Sequence, residues 1–179
     1  MNDASLFTMS LKIKLKYFFA VVFLVSCSQK QPGNKISEQE LKEHFVNANK
    51  IMVKNESEEI DDFIKRHQWQ MQTTGSGLKY EIYFKGKGPA AKKEQMHLLY
   101  YKLYLLDGTL IHASETNKPL NFSSGKAEVP KGLEEGVLLM HVGDKARFVI
   151  PSHLGYGVAG DGNKIPGNAS LFYDVELVH

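Results

Sequence analysis

The stretch Val129-Pro130-Lys131-Gly132-Leu133-Glu134-Glu135-Gly136-Val137-Leu138-Leu139-Met140, continuing to Pro151-Ser152-His153-Leu154-Gly155-Tyr156-Gly157, decides how this chain is read. Pro130 suits a first helical turn, where its missing N–H costs nothing. Leu133, Val137 and Met140 follow at i, i+4 and i+7, which places one apolar stripe on a short helix. Gly143-Asp144 is expected to stop it. Lys145 to Ile150 alternates, with Ala146, Phe148 and Ile150 on one face of a strand. A glycine-punctuated loop carrying Tyr156 comes next. One helix with a stripe on one side requires a sheet to cover it. That arrangement leaves room for a pocket at the helix start, beside Val129, Pro130 and Tyr156.

The remaining strands are read from the same alternation. Leu78, Tyr80, Ile82 and Phe84 share a face, and Lys85-Gly86-Lys87-Gly88-Pro89 is a turn. Met96 to Leu106 is a long strand with Leu99, Tyr101, Leu103 and Leu105 on one side. Asp107-Gly108 signals a hairpin into Thr109 to Ala113. Lys118 to Phe122 is a short extended piece. Ser170 to Val178 sets Leu171, Tyr173, Val175 and Leu177 against Asp174 and Glu176. The fold class is therefore α+β, a curved antiparallel β-sheet wrapped around one short α-helix.

Ahead of this domain, Ser37 and Glu40 match a capping box. Leu41, Phe45, Ala48 and Met52 recur at helical spacing, and Asn55 with Glu58 offers a second start leading to Ile60, Phe63 and Ile64. The spacing predicts two helices, about 38–54 and 56–68, whose apolar face continues toward Trp69 and Met71. They either pack on the main domain or form a dimerisation arm, a homodimer through residues 37–70. No heptad persists long enough for a coiled coil.

Composition narrows the function classes. The 179 residues carry a net charge of +2, and Lys12, Lys14 and Lys16 against Asp3 place that excess within residues 1–27. The remainder is neutral, which argues against phosphate-driven nucleic-acid binding. With one cysteine, Cys27, no disulfide within the chain and no four-thiolate metal site can form. The three lysines precede an apolar run, Tyr17 to Val25, of about nine residues, short of the roughly 20 that a spanning helix needs. That is a secretory signal. Its end, Leu24-Val25-Ser26-Cys27, closely resembles the lipobox of bacterial lipoproteins, which implies a diacylated Cys27 as mature N-terminus and stable anchoring by more than one acyl chain. Met9 gives a more ordinary start than Met1. Domains are expected at 1–27 (lipoprotein signal), 28–36 (polar tether), 37–70 (helical segment) and 71–179, in a protein lipid-anchored to the cell envelope and facing the periplasm.

Conventional catalytic constellations are missing. The seven histidines form no HExxH and no His-x-x-x-His pair. His44 and His67 are assigned to polar helix faces, and His97 and His141 to structural roles. Gly155 to Gly162 lacks the Lys-Ser/Thr of a P-loop, and no G-x-S-x-G is present. No metal or cofactor is expected. Aromatic and aliphatic residues around a helix start suit a reaction that needs no nucleophile.

Residues from about 78 to 179 resemble the FKBP-type peptidyl-prolyl cis-trans isomerases. The matching text is Tyr101, Leu106-Asp107-Gly108-Thr109, Gly125 to Gly136, Val142 to Ala146, Ile150-Pro151, Gly155-Tyr156-Gly157, Ile165-Pro166 and Leu171 to Leu177, in family order. With the lipobox and helical lead-in, the chain is similar to the gliding-motility-associated lipoprotein isomerases of bacteria. The resemblance implies proline-containing polypeptide substrates and a pocket walled by Tyr101, Ile111, Phe122, Val129, Pro130, Leu133, Tyr156, Ile165 and Tyr173, with Leu133 as floor. It implies that the Tyr156 hydroxyl and the Ile165 backbone N–H donate to substrate carbonyls. Leu133, Ile111 and Pro130 replace a common Trp, Phe and Ile and keep the wall apolar. His112 stands where an aspartate is usual. A neutral imidazole accepts a tyrosine hydrogen bond but brings no fixed negative charge, so isomerisation is expected to be weaker and to fall in acid. A non-catalytic chaperone or assembly subunit using the same pocket, or the helical arm, is the alternative.

Overall fold

The computed structural model describes residues 37–179. The expected signal segment, the tether and Cys27 lie outside the described residues. Elements follow in the order α1 (Glu38–Arg66), β1 (Gln72–Thr73), β2 (Lys79–Phe84), β3 (Met96–Leu105), β4 (Leu110–Ala113), β5 (Leu120–Ser123), α2 (Lys131–Val137), β6 (Lys145–Ile150), a 3-10 turn (Ser152–Leu154) and β7 (Leu171–Leu177). Val46–His179 cluster as one compact unit, and the described residues before Val46 belong to a separate one.

The capping box forms as expected. The Glu40 N–H donates to Ser37 Oγ at 3.2 Å, and the Ser37 N–H donates back to Glu40 Oε2 at 3.0 Å. The Ser37 N–H, and then the Ser37 hydroxyl, bonding to the carboxylate hold the Glu40 carboxyl below the usual range. The break expected near Asn55 does not occur: α1 is a single helix of 29 residues. Its sequence contains neither Gly nor Pro, so nothing interrupts the backbone ladder, and the Asn55/Glu58 pattern lies within the helix. α1 ends where Gln68 turns to φ 58° and the Trp69 N–H reaches back to the Ile64 carbonyl at 3.3 Å.

The sheet is antiparallel, ordered β1-β2-β6-β7-β3-β4, with β5 paired to the first part of β3. β7 is central, flanked by β6 and β3 in unbroken register. Every expected strand is present. The two-residue β1 was not expected; it pairs Gln72 with Tyr80 and Thr73 with Lys79, and so short a strand has no alternation to read.

Period-two alternation sorts the side chains onto two faces. On the concave face Leu99, Leu103, Ala146, Phe148, Ile150, Leu171, Tyr173, Val175 and Leu177 bury against Leu133, Val137 and Met140. On the convex face Val149 and Leu106, with Phe172, pack against Ile60 and Phe63 of α1 and against Trp69 and Met71. Trp69 and Met71 thus extend the α1 seam from the turn beyond it.

α2 is shorter than its stripe. Pro130 is its N-cap at φ −54°, ψ 142°, one position before the expected first turn. The helix closes at Val137, ahead of Gly143-Asp144, and the buried Met140 belongs to the turn beyond it. Two glycines seat α2 on β6. A Cβ on Gly136 would stand 2.7 Å from the Phe148 ring, and one on Gly132 would collide with Ile150 Cγ2. Only glycine lets the axis lie this close.

Candidate active site

Five elements and two loops bring the expected pocket residues together. Leu133 comes from α2, Phe122 from β5, Ile111 from β4, Tyr173 from β7 and Ile165 from the loop before β7; all five are buried in one cluster, with Tyr101 of β3 and Val129 packed against it. Leu133 is 1% exposed, so it forms part of the core beneath the site. Pro130 is half-buried, His112 is exposed, and Tyr156 is 37% exposed.

Three phenols and one imidazole supply the polar edge. The Tyr101 hydroxyl and His112 Nδ1 share a hydrogen bond at 2.7 Å, with the two rings stacked at 5.5 Å and 16°. The Tyr101 and Tyr173 rings lie 5.9 Å apart. Burial pushes the Tyr101 hydroxyl above the usual phenol range, and the charge Tyr156 would carry pushes it further. Burial likewise raises Tyr156, with interaction with the Tyr173 hydroxyl acting against it. Tyr173 rises furthest, through burial first and then through Tyr156 and Tyr101. All three therefore stay protonated far above neutral pH and serve as hydrogen-bond donors.

The loop carrying Tyr156 is built by internal hydrogen bonds. Gly157 and Asn168 meet across it, Asn168 N–H to Gly157 O at 2.8 Å. Asp161 is its hub: Oδ1 accepts the Asn163 N–H at 2.8 Å and the Ile165 N–H at 2.7 Å. These bonds hold the Asp161 carboxyl below its usual range. The Ile165 amide, expected to donate to a substrate carbonyl, here donates to Asp161, and the Ile165 side chain is buried in the pocket cluster. The signal that could have shown this is Asp161-Gly162, an aspartate able to turn back on the next amides. Pro130 also brings no N–H to the helix start.

The histidines outside the site divide. His97 is buried, its Nε2 within 3.1 Å of the Lys92 carbonyl. His67 stacks on Trp69 at 4.4 Å just past α1, where a polar helix face was expected. His141 is exposed. Among the described residues no group of three His, Cys, Asp or Glu could hold a metal, and no helix is long and apolar enough to cross a membrane.

Comparison with known proteins agrees with this geometry. The family model described as FKBP-type peptidyl-prolyl cis-trans isomerase matches residues 88–178. The probable FKBP-type peptidyl-prolyl cis-trans isomerase FkpA of Neisseria meningitidis is 36% identical over 143 residues, 78% of this chain and 52% of that protein. FK506-binding protein 1A of Neurospora crassa is 36% identical over 104 residues, 57% of this chain and 87% of that one. The crystal structure of AtFKBP13 superposes with a TM-score of 0.58 at 32% identity, covering 62% of this chain and 98% of that chain. This chain thus spans about half the length of its Neisseria relative.

Proposed function

Since the chain belongs to the FKBP-type peptidyl-prolyl cis-trans isomerase family, we propose that it accelerates rotation about Xaa–Pro bonds in proline-containing polypeptides. The observation that carries this reading is the buried apolar cluster of Leu133, Phe122, Ile111, Ile165 and Tyr173, with the partly exposed Tyr156 on the loop that also supplies Ile165. Rotation faces a barrier of about 18–20 kcal/mol because the planar amide is stabilised by resonance. Resonance separates charge, and an apolar wall disfavours that separation. The twisted amide, with less resonance, is then bound better than the planar one. A thousandfold acceleration needs only about 4 kcal/mol of such preference. Leu133 and Phe122 offer the floor for the proline ring, Val129 and Pro130 a side wall, and the Tyr156 hydroxyl a donor for a substrate carbonyl.

The reading extends to place and partners. The lipobox at Cys27 supports a protein anchored by lipid to the cell envelope and acting on envelope proteins, gliding-motility components among them. Exposed Val46, Ile51, Met52 and Val53 on α1 favour a second role, as an arm that holds clients or a second copy of the chain.

A protease-coupled assay on an Xaa-Pro peptide tests the reading. Wild type is expected to be active, and Leu133→Ala and Tyr156→Phe each to lose about tenfold or more in kcat/KM. His112→Asp, which sets a fixed negative charge beside the Tyr101 hydroxyl, should raise activity. An inactive wild type that still suppresses aggregation after Tyr156→Phe would replace the enzyme with a chaperone.

A further inference from the structure

One carboxylate on the long helix reaches the loop of the candidate active site from the opposite side of the sheet. Glu56 lies four and seven residues ahead of Ile60 and Phe63, so it shares their docked stripe. Its Oε1 accepts two hydrogen bonds at once, from the Ser152 N–H at 2.6 Å and from the Ser170 hydroxyl at 2.7 Å. Ser152 and Ser170 are both buried, and they stand at the two ends of the loop that carries Tyr156. They immediately flank the sheet, beyond the last register pair of Ile150 with Leu171.

The connection continues to the tyrosine. The Ser152 carbonyl accepts the N–H of Gly155 at 3.0 Å and of Gly157 at 2.8 Å, the residues on either side of Tyr156. One residue, Ser152, is thus fixed at its N–H by Glu56 and at its carbonyl by the two neighbours of the tyrosine. Without the carboxylate, a buried N–H and a buried hydroxyl would both lose their acceptor, and buried polar groups rarely stay unpaired. Restoring their hydrogen bonds would need water at the neck or a shift of the loop.

We propose that Glu56 is a positioning residue for the isomerase site: it clamps the two ends of the 152–170 loop and thereby holds the Tyr156 hydroxyl where substrate meets it. The helical segment is then part of the catalytic apparatus through this one side chain. The proposal rests on the isomerase reading for its catalytic consequence and on the hydrogen bonds alone for the clamp.

The test uses the full chain and two readouts, peptide isomerisation with kcat and KM resolved, and hydrogen–deuterium exchange along residues 153–168. Glu56→Ala is expected to speed exchange in that loop while β3 and β7 keep their protection. It should lower kcat/KM about tenfold, mainly through KM, since Tyr156 acts on bound substrate. Glu56→Gln keeps an acceptor oxygen at the same reach and should recover most of both effects, a rescue that loss of general helix packing would not show. Ser170→Ala removes one of the two bonds and should give an intermediate loop; it carries the comparison if Glu56→Ala fails to fold. Unchanged loop exchange in Glu56→Ala and Ser170→Ala overturns the clamp. Faster exchange with unchanged kcat/KM overturns its role in positioning. A wild type inactive on every Xaa-Pro peptide overturns the isomerase reading instead, and the exchange data then still decide the clamp.

Discussion

The two helices use the same sheet in opposite ways. α2 has seven residues, four of them buried, and two of those four are glycines pressed against β6. α1 has 29 residues and buries two, Ile60 and Phe63, with Glu56 making its polar tie. The short helix has too little length to be stable alone; it exists because the concave core holds it. The long helix packs only through its later turns, at Glu56, Ile60 and Phe63. A pocket that must hold a substrate is accordingly built around the short one.

The largest effects should separate the two faces. Phe148→Ala empties the concave core beneath α2, where Phe148 is fully buried, and should cost about 3–5 kcal/mol. Phe63→Ala opens the convex seam, where Phe63 packs edge-on to Trp69 at 5.5 Å and against Phe172 at 5.6 Å. Its cost should fall near the lower end, about 3 kcal/mol, because α1 can detach while the sheet stays folded. Urea titrations followed by far-ultraviolet dichroism and by tyrosine fluorescence check this. Coincident transitions and equal losses in both variants would mean that the faces unfold as one unit and the contrast is wrong.

A smaller effect sharpens the account of α2. Replacing a helical glycine by alanine ordinarily gains about 1 kcal/mol. At Gly136 the new Cβ meets the Phe148 ring, so Gly136→Ala should instead destabilise by about 1–3 kcal/mol. A stabilised variant, read by the same denaturation, would show that α2 sits farther from β6 than described.

Alternation is why the strands were legible: Leu171, Tyr173, Val175 and Leu177 can be buried together only if that segment is a strand with one face inward. The pocket residues were legible by resemblance, since no spacing rule brings Ile111, Leu133 and Ile165 into contact. What the sequence hid was settled by competition between partners. The Asn55/Glu58 pattern is a valid local start, yet an uninterrupted ladder and the bonds from Ser152 and Ser170 to Glu56 keep the helix whole. The Ile165 N–H was legible only in part: Asp161-Gly162 signals a turn back onto the following amides, and the fold selects the Asn163 and Ile165 N–H groups. Glu56 found partners that only the folded chain supplies, whereas Asp161 chose among amides within four residues.

The mildest perturbation, alkali, should also distinguish the faces. On the convex side Tyr83 donates to Asp174 at 2.8 Å, and its hydroxyl is pushed up to about 12, by burial first and then by that bond and the carboxylate charge. On the concave side burial raises Tyr173 further still. An unfolded phenol ionises near pH 10. Above that pH the unfolded chain loses protons that the native chain keeps, so stability is full below about pH 10 and falls as pH rises toward 12. Tyr83 is 41% exposed, so solvent weakens its share, and Tyr83→Phe should flatten the alkaline decline less than Tyr173→Phe does. Denaturation midpoints at several values between pH 9 and 12 give the slopes. If Tyr83→Phe proved the more protective, the Tyr83–Asp174 bond on the convex face would govern alkaline sensitivity, and the enclosed phenol of the pocket would not.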